Sequence, residues 1–164
     1  MEYILKDNLT GKPSPIWTKF SIIRDNHHIR CSFEAHDSSL NSFSNTDNDE
    51  LYKGDVVELF LDIGEKDAYL EIEVAPNGAK FVANIINRKI NLLNPDIIKS
   101  TSVIKENNYF VDIDIDLSKF KVIEPIRFNA YRIETKGIKR DYILLAVNPT
   151  LTDSFHVRDR FILM

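Results

Sequence analysis

Apolar and polar residues alternate along most of the chain, which is the pattern of β-strands that bury one face. The clearest case is segment 109–117, YFVDIDIDL, in which aspartates alternate with apolar residues. No segment shows the 3.6-residue apolar period of an amphipathic helix, and the best helical candidate is the short segment 118–125. The alternation predicts nine strands, at 16–25, 28–36, 55–63, 68–75, 79–87, 99–106, 109–117, 126–134 and 140–147.

Short strands separated by turn residues predict an all-β fold, a two-sheet antiparallel β-sandwich of the jelly-roll or immunoglobulin-like type. The 164 residues are a normal length for one domain, so we expect a single domain over 1–164. The longest predicted loop, 37–54, is rich in Ser, Asn and Asp. A loop of that length in a compact domain is usually functional or disordered.

Charge and hydropathy narrow the classes of partner. The net charge is −4, and acidic and basic residues are interspersed along the chain. No basic stripe is present, so we expect no binding to nucleic acid. No apolar run approaches the ~20 residues of a membrane-spanning helix, so we expect no membrane association. The first residues, MEYILKDNLTGK, lack the basic and apolar parts of a signal peptide. Localisation stays open between the cytoplasm and a piece trimmed from an exported protein.

Cysteine and tryptophan each occur once in the chain, and we expect both residues in the core. Cys31 has no cysteine partner for an internal disulfide or a CxxC metal site, and it alternates with polar neighbours in HIRCSFEA. We therefore predict a buried thiol that packs as a small apolar side chain. Trp17 lies in the first predicted strand, and we predict that it packs in the core.

A carboxylate-rich hairpin is the main candidate for chemistry. In strands 55–63 and 68–75 the Leu, Ile and Val residues share one face, which we expect in the core. The opposite face then carries Glu58, Asp62, Tyr69, Glu71 and Glu73. These carboxylates could form a solvated surface, bind a cation, or form hydrogen bonds to a polar uncharged ligand.

Four motifs resemble the family 9 carbohydrate-binding modules, which are sugar-binding domains often appended to xylanases. They are LYKGDVVELFLD (51–62), YLEIEVAPNG (69–78), FNAYRIE (128–134) and NPTLTDSFHVRDRFILM (148–164). Their order and spacing together carry the resemblance, which extends from about residue 16 to the end of the chain. It implies a β-sandwich, in agreement with the alternation.

The resemblance also implies a ligand-binding set. In that family two aromatic side chains clamp the terminal sugar, and polar residues of the adjoining strands bind its hydroxyl groups. The first aromatic position falls on Tyr52 and the second on Phe155 or His156. The clamp residue is usually tryptophan, so both positions are smaller here. The polar positions fall on Glu58, Glu71, Glu73 and either Tyr131 or Arg132, because strand parity lets only one of the last two face the ligand.

Metal and cofactor expectations are limited. Family members often carry structural calcium, and the oxygen donors nearest to the first motif are Asp47, Asp49 and Asp55. We expect no required cofactor and regard calcium as a structural option. A related sandwich subgroup binds haem through Met or Lys axial ligands. The only methionines here, Met1 and Met164, are terminal, which argues against haem.

The leading interpretation is a non-catalytic module that recognises a sugar or glycan end, with attachment to a larger enzyme left open. One alternative is a structural or protein-interaction sandwich that has lost sugar binding, which the smaller aromatic residues favour. Another is a glycoside hydrolase, because two carboxyl groups about 5–9 Å apart are the minimal requirement for that reaction.

Overall fold

A computed structural model of the chain describes residues 1–37, 39–136 and 141–164. Within these residues it contains thirteen β-strands and no α-helix, and no helix that could span a membrane. The strands are β1 (Glu2–Ile4), β2 (Lys6–Asp7), β3 (Thr18–Asp25), β4 (His28–His36), β5 (Val56–Asp62), β6 (Ala68–Val74), β7 (Lys80–Ile86), β8 (Lys89–Leu92), β9 (Ile98–Lys105), β10 (Asn108–Asp116), β11 (Arg127–Lys136), β12 (Asp141–Ala146) and β13 (Ile162–Leu163).

The strands form two antiparallel sheets. The five-stranded sheet has the order β1-β3-β4-β10-β9. The eight-stranded sheet has the order β2-β12-β11-β5-β6-β7-β8, with β13 paired to β11. This is the predicted all-β sandwich, and each of the nine predicted strands is present to within two residues at either end. Arg140, the first residue predicted for the last of them, lies outside the described residues.

The predicted helical segment does not form an α-helix. Leu117–Lys119 makes one 3-10 turn, and the side chain of Asp116 accepts a hydrogen bond from the backbone N–H of Ser118 at 3.0 Å. The residue that caps this turn is therefore Asp116. The segment that follows leads into β11 without further helical structure in the region described.

The main hydrophobic core lies between the two sheets. It takes the inward residues of both, among them Phe33 and Ile113 from one sheet and Leu59 and Ile72 from the other. Cys31 is buried within this core, as predicted, and burial raises the pKa of its thiol. Each buried methylene group stabilises the fold by about 0.8 kcal/mol. The apolar residues that the period-two pattern places between the sheets therefore hold the two sheets together.

A second hydrophobic cluster covers the outer face of the eight-stranded sheet. It includes Phe60, Tyr69 and Tyr131 from the strands, and Leu51 and Phe155 from loops. Two loop segments, 39–55 and 147–161, therefore lie over the sheet face that opposes the core. This second cluster creates the environment of the carboxylates described below.

Trp17 is not in the core, contrary to the prediction. Its side chain is only partly buried, and its ring stacks on His36 with a centroid separation of 5.7 Å. The Lys19 Nζ atom lies 5.3 Å from the same ring. The residue precedes β3, so it lies outside the run of inward positions that begins at Thr18.

Candidate functional site

The register of three strands places a set of glutamates on the outer face of the eight-stranded sheet. Glu58 pairs directly with Glu73 across β5 and β6, and Phe60 pairs with Glu71. On its other side Glu58 pairs with Tyr131 of β11. Residues that pair across antiparallel strands project to the same face. The predicted shared face of the hairpin is therefore confirmed.

These three glutamates are buried. Glu58 and Glu73 are each 2% exposed and Glu71 is 6% exposed. Burial raises the pKa of Glu58 and of Glu73 well above the usual value, and mutual repulsion among the three raises both further. Burial also raises the pKa of Glu71, to about 7. This sheet face is therefore a desolvated cluster of carboxyl groups. It is not the solvated surface that was one of the three alternatives left open by the sequence.

Two carboxyl oxygens in this cluster have no hydrogen-bond partner. They are the Oε2 atoms of Glu71 and Glu73, both buried. A buried polar atom without a partner costs about 1–3 kcal/mol, so such atoms are uncommon in folded proteins unless a ligand or water meets them. Asp62 on the same face differs, because Arg158 Nε lies 2.8 Å from its Oδ2 atom.

The loop before β5 carries Tyr52 to the edge of this cluster. A 3-10 turn, Leu51–Lys53, buries Leu51 and leaves the Tyr52 side chain 45% exposed. The Tyr52 hydroxyl donates to a Glu50 carboxylate oxygen at 2.9 Å, and Lys53 pairs with the same carboxylate. The hydrogen bond to Glu50 fixes the Tyr52 ring at the rim of the glutamate cluster, where the ring is accessible to solvent.

Contacts with β7 anchor the same loop. The backbone N–H of Lys80 donates to Asp47 Oδ1 at 2.8 Å, and the backbone N–H of Val82 donates to Asn48 Oδ1 at 3.0 Å. Gly54 lies at the end of the loop and packs closely against the backbone of Phe43. A Cβ atom at Gly54 would lie 2.5 Å from the Phe43 nitrogen. These contacts hold the loop that carries Tyr52 against the sheet.

The loop after β12 carries Phe155 and His156 to the other side of the cluster. Asn8 anchors it, because its side chain accepts from the Thr150 backbone N–H and donates to the Thr150 hydroxyl, both at 2.8 Å. The Thr150 hydroxyl donates in turn to the Ser154 carbonyl at 2.8 Å. These side-chain bonds close the Asn-Pro-Thr turn and place the following aromatic residue over the sheet.

Phe155 is stacked on the sheet. Its ring lies parallel to that of Tyr131, with a centroid separation of 4.2 Å and an angle of 15°, and the Tyr131 hydroxyl donates to the Phe155 carbonyl at 3.1 Å. His156 Nδ1 is hydrogen bonded to the Tyr69 hydroxyl at 2.6 Å, and burial lowers the pKa of its imidazole. One face of Phe155 is thus occupied by protein, and the loop is tied down on both sides.

A cavity of about 830 Å³ lies between the two loops. It brings together six of the eight candidate ligand-binding residues: Tyr52, Glu58, Glu71, Glu73, Phe155 and His156. Tyr131 does face this side of the sheet, but it is completely buried beneath Phe155. It supports the aromatic rim and does not line the cavity.

Arg132 is not part of this site. It is 0% exposed and projects into the space between the sheets, where its guanidinium donates to the Thr18 hydroxyl at 3.0 Å and to Asp37 Oδ2 at 3.0 Å. It also lies 5.5 Å from the ring of Tyr109 and 3.2 Å from Glu134 Oε2. Strand parity therefore selects Tyr131 for the outer face, and Arg132 links the two sheets.

An apolar wall of the cavity was absent from the sequence prediction. It consists of residues from β7, β8, β11 and β12: Phe81, Ile90, Leu92, Ile133 and Leu144. Ile133 could have been assigned from its parity with Tyr131. Ile90 and Leu92 could not, because β8 has four residues, all of them exposed, and no periodic pattern identifies it.

The three aspartates proposed for calcium do not form a ligand set. The Asp55 carboxylate accepts hydrogen bonds from the backbone N–H and hydroxyl of Thr135 at 2.7 and 2.8 Å, and Asp49 accepts from the Glu50 N–H at 2.8 Å. Asp47 accepts from Lys80 as described above. Over the ranges 1–37, 39–136 and 141–164, no group of three or more His, Cys, Asp or Glu residues could hold a metal ion. These residues therefore do not fit the metal.

A second cavity, of about 670 Å³, lies against the five-stranded sheet. Much of its polar lining is internally paired: Lys19 Nζ lies 3.5 Å from a Glu34 oxygen, and the Ser32 hydroxyl donates to Asp112. None of its lining residues has a buried polar atom without a partner. The cavity between the two loops is therefore the stronger candidate for ligand binding.

Comparison with solved structures identifies the fold. A proposed carbohydrate-binding protein of Bacteroides uniformis superposes with a TM-score of 0.81 and 16% identity, over 98% of this chain and 84% of that one. A family 9 carbohydrate-binding module of Caldicellulosiruptor kristjanssonii, in complex with cellotriose, gives a TM-score of 0.66 and 20% identity over 90% and 72% of the two chains. The fold is that of a family 9 carbohydrate-binding module.

The same Caldicellulosiruptor module in complex with glucose gives a TM-score of 0.64 and 20% identity, over 88% of this chain and 74% of that one. No protein-family model matches the chain, and no curated protein matches it by sequence. The family 9 fold is therefore established by structure alone, and at 16–20% identity it does not carry the ligand with it.

Proposed function

We propose that the cavity between the two loops binds the end of a carbohydrate and performs no reaction on it. The observation that carries the proposal is the set of buried glutamates that open into a cavity with aromatic side chains at its rim. Tyr52 stands on one side, and Phe155 and His156 on the other. The sequence resemblance predicts these residues for a sugar end, and their common position around one cavity supports the proposal.

The physical chemistry of a pyranose suits this lining. Its C–H faces are apolar and pack on flat aromatic rings, while its ring of hydroxyl groups needs hydrogen-bond partners. The exposed ring of Tyr52 and the apolar wall offer the first kind of contact. The unpartnered Oε2 atoms of Glu71 and Glu73 offer the second, because a hydroxyl group that donates to each would remove the penalty of its burial.

The fold supports the same conclusion at a coarser level. Two of the similar structures are family 9 modules in complex with cellotriose and with glucose. In those proteins the sandwich binds sugars. We extend that activity to this chain because its own cavity has the required lining.

Catalysis is less well supported by the geometry. A hydrolytic carboxyl pair needs one group held ionised and one held protonated, in environments that move their pKa values apart. Here burial raises the pKa of Glu58, Glu71 and Glu73 in the same direction. No guanidinium or ammonium group contributes to the pKa of any of them. The hydrogen bond between Glu71 and Glu73 lowers the pKa of the first and raises that of the second, but no cationic group holds either carboxyl ionised.

Calorimetric titration with glucose, xylose, cellobiose and xylobiose tests the proposal, with and without calcium. Tyr52→Ala should weaken binding about tenfold, because the lost stacking is worth about 1 kcal/mol or more. Tyr142→Ala is the matched control, since that tyrosine is also exposed and lies outside the cavity. Equal losses in both variants, or release of reducing sugar from cellobiose, would contradict the proposal.

A further inference from the structure

The lining of the cavity is strongly acidic. It contains six carboxyl groups, from Asp49, Glu50, Glu58, Glu71, Glu73 and Asp153. No lysine or arginine is among its lining residues in the part of the chain that the structure describes. A site for a neutral sugar needs hydrogen-bonding groups but has no need for charge of a single sign.

Two of the three rim carboxylates are already engaged. Glu50 pairs with Lys53 and accepts from the Tyr52 hydroxyl, and Asp49 accepts from the Glu50 backbone N–H. Glu58, Glu71 and Glu73 at the base of the cavity have no cationic partner among the interactions that set their pKa values. The carboxyl groups without a cationic partner are therefore those on the sheet, where burial is deepest.

The register of the sheet spaces these three groups in a triangle. Glu58 and Glu73 are opposite one another on paired strands, and Glu71 is two residues from Glu73 on the same face. In the free protein burial favours the protonated forms of these groups. A positively charged group among them favours the ionised forms and pairs with them, which a neutral ligand cannot do.

The buried unpartnered oxygens indicate what kind of cation fits. The Oε2 atoms of Glu71 and Glu73 each lack a hydrogen-bond donor. An ammonium group carries three N–H donors and no acceptor. The three carboxyl groups do not form a set that could hold a metal ion within the residues described, so a group that donates hydrogen bonds suits them better.

We propose that the carbohydrate bound here is an amino sugar with a free, positively charged amino group, and that its ammonium lies among Glu58, Glu71 and Glu73. This inference rests on the proposed function and names the substrate class of the same site. The apolar wall and the rim aromatics contact the C–H faces of the pyranose, as for any sugar. The glutamate triangle discriminates by charge.

Amino-sugar binding has a measurable proton linkage. In the free protein burial favours the protonated carboxyl groups, and the pKa of Glu71 is raised to about 7. An ammonium within about 4–6 Å favours the ionised form, so binding should release protons near pH 7. His156 and Tyr69 also face the cluster, but burial lowers the pKa of His156 and raises that of Tyr69, so both stay neutral. The pKa values of Asp49 and Glu50 at the rim are lowered by their hydrogen bonds, so both stay ionised at this pH.

Titration calorimetry with matched sugars tests the inference. Glucosamine, galactosamine and mannosamine are compared at pH 7 with the corresponding hydroxyl and N-acetylamino sugars, in phosphate and in Tris. We expect at least one free amino sugar to bind about tenfold or more tighter than both of its neutral partners. We also expect the heat of that titration alone to differ between the two buffers, because protons are released.

Charge-removing variants locate the effect. Glu71→Gln and Glu73→Gln keep the shape of the side chain, and each should reduce the preference for the amino sugar to about threefold or less. Glu65→Gln is the matched control, because Glu65 is exposed and lies outside the cavity. It should leave the preference unchanged.

The outcomes separate the two proposals. Binding of neutral sugars as tightly as their amino partners, or an equal preference in Glu71→Gln and the wild type, overturns the amino-sugar inference and leaves carbohydrate binding standing. Absence of heat with every sugar, in a folded protein, overturns both. Amino-sugar binding without proton release overturns the placement of the ammonium among the three glutamates.

Discussion

Three buried glutamates are the residues whose behaviour the structure determines most sharply. Glu58, Glu71 and Glu73 have raised pKa values because burial disfavours their charged forms. In the unfolded chain these groups ionise near pH 4.5, so in the folded chain they bind more protons above that pH. Their contribution to stability is therefore complete below about pH 4.5 and is lost as the pH rises through about 7 and beyond.

Stability should consequently fall between pH 5 and pH 8, by about 1–3 kcal/mol in the free energy of unfolding. Glu71→Gln should flatten this dependence and stabilise the protein at pH 8, because an amide cannot ionise. Urea unfolding at several pH values measures both. Carboxylates with lowered pKa values, such as Asp114 and Asp116, act in the opposite direction but at lower pH. A stability that rises from pH 5 to pH 8, or an unchanged slope in Glu71→Gln, would contradict the assignment.

Arg132 shows the other role of a buried charge. Its guanidinium holds the buried Asp37 carboxylate and joins β11 to Thr18 of the opposite sheet. Arg132→Leu should destabilise the protein by about 3–5 kcal/mol, because it leaves Asp37 buried without its cation. Arg127→Leu, an exposed arginine of the same strand, is the control and should change stability by less than about 0.5 kcal/mol. Similar losses in both variants would disprove the linking role.

At the residue scale, the sequence predicts which alternate residues of a strand share a face. It does not always predict which of the two faces points toward the core. In FNAYRIE the outward positions hold Asn129, Tyr131 and Ile133, while the inward positions include Arg132. Hydrophobicity alone cannot assign such a strand, because both faces are buried and the polar residue is on the inner one. The hairpin of Glu58 and Glu73 was predictable because its inner face is uniformly aliphatic.

At the scale of elements, alternation identified the long strands and missed the short ones. β1, β2, β8 and β13 have two to four residues, which is too short for a period of two to be recognised. The hairpin between β9 and β10 turns tightly. Lys105 pairs with Asn108, so Glu106 and Asn107 form the turn, and Glu106 has a positive φ.

The loop that carries Tyr52 makes a prediction about an element. A Cβ atom on Gly54 would lie 2.5 Å from the Phe43 nitrogen and 2.6 Å from the Asn41 carbonyl oxygen, both of them backbone atoms. Gly54→Ala should therefore displace the loop and weaken sugar binding along with stability. Titration of the folded variant measures the effect.

Gly78→Ala serves as the control for that experiment. Gly78 has a φ of +89°, so alanine strains the backbone there, but a Cβ atom would meet no neighbour. We expect this variant to lose stability while retaining the affinity of the wild type. Equal affinity in both variants would show that the loop tolerates the displacement.

At the scale of the whole molecule, the fold could be predicted from the sequence. The loops that cover the outer face of the eight-stranded sheet could not. The sandwich persists in similar structures at 16–20% identity, because period-two burial can be satisfied by many residues. The second hydrophobic cluster depends on loops that return from distant parts of the chain, such as the Asn8 contact with Thr150. No local pattern encodes such a contact, so the depth of the glutamates was beyond prediction.

Amide chemical-shift mapping during a sugar titration of the labelled protein tests most directly whether this cavity binds a carbohydrate. The panel combines the neutral and amino sugars described above. Binding in the cavity between the two loops predicts shifts that saturate and cluster at residues 48–54, 71–73 and 153–156. Shifts centred on the cavity of the other sheet, near Tyr3 and Phe110, or no shifts with any sugar, would contradict the central claim.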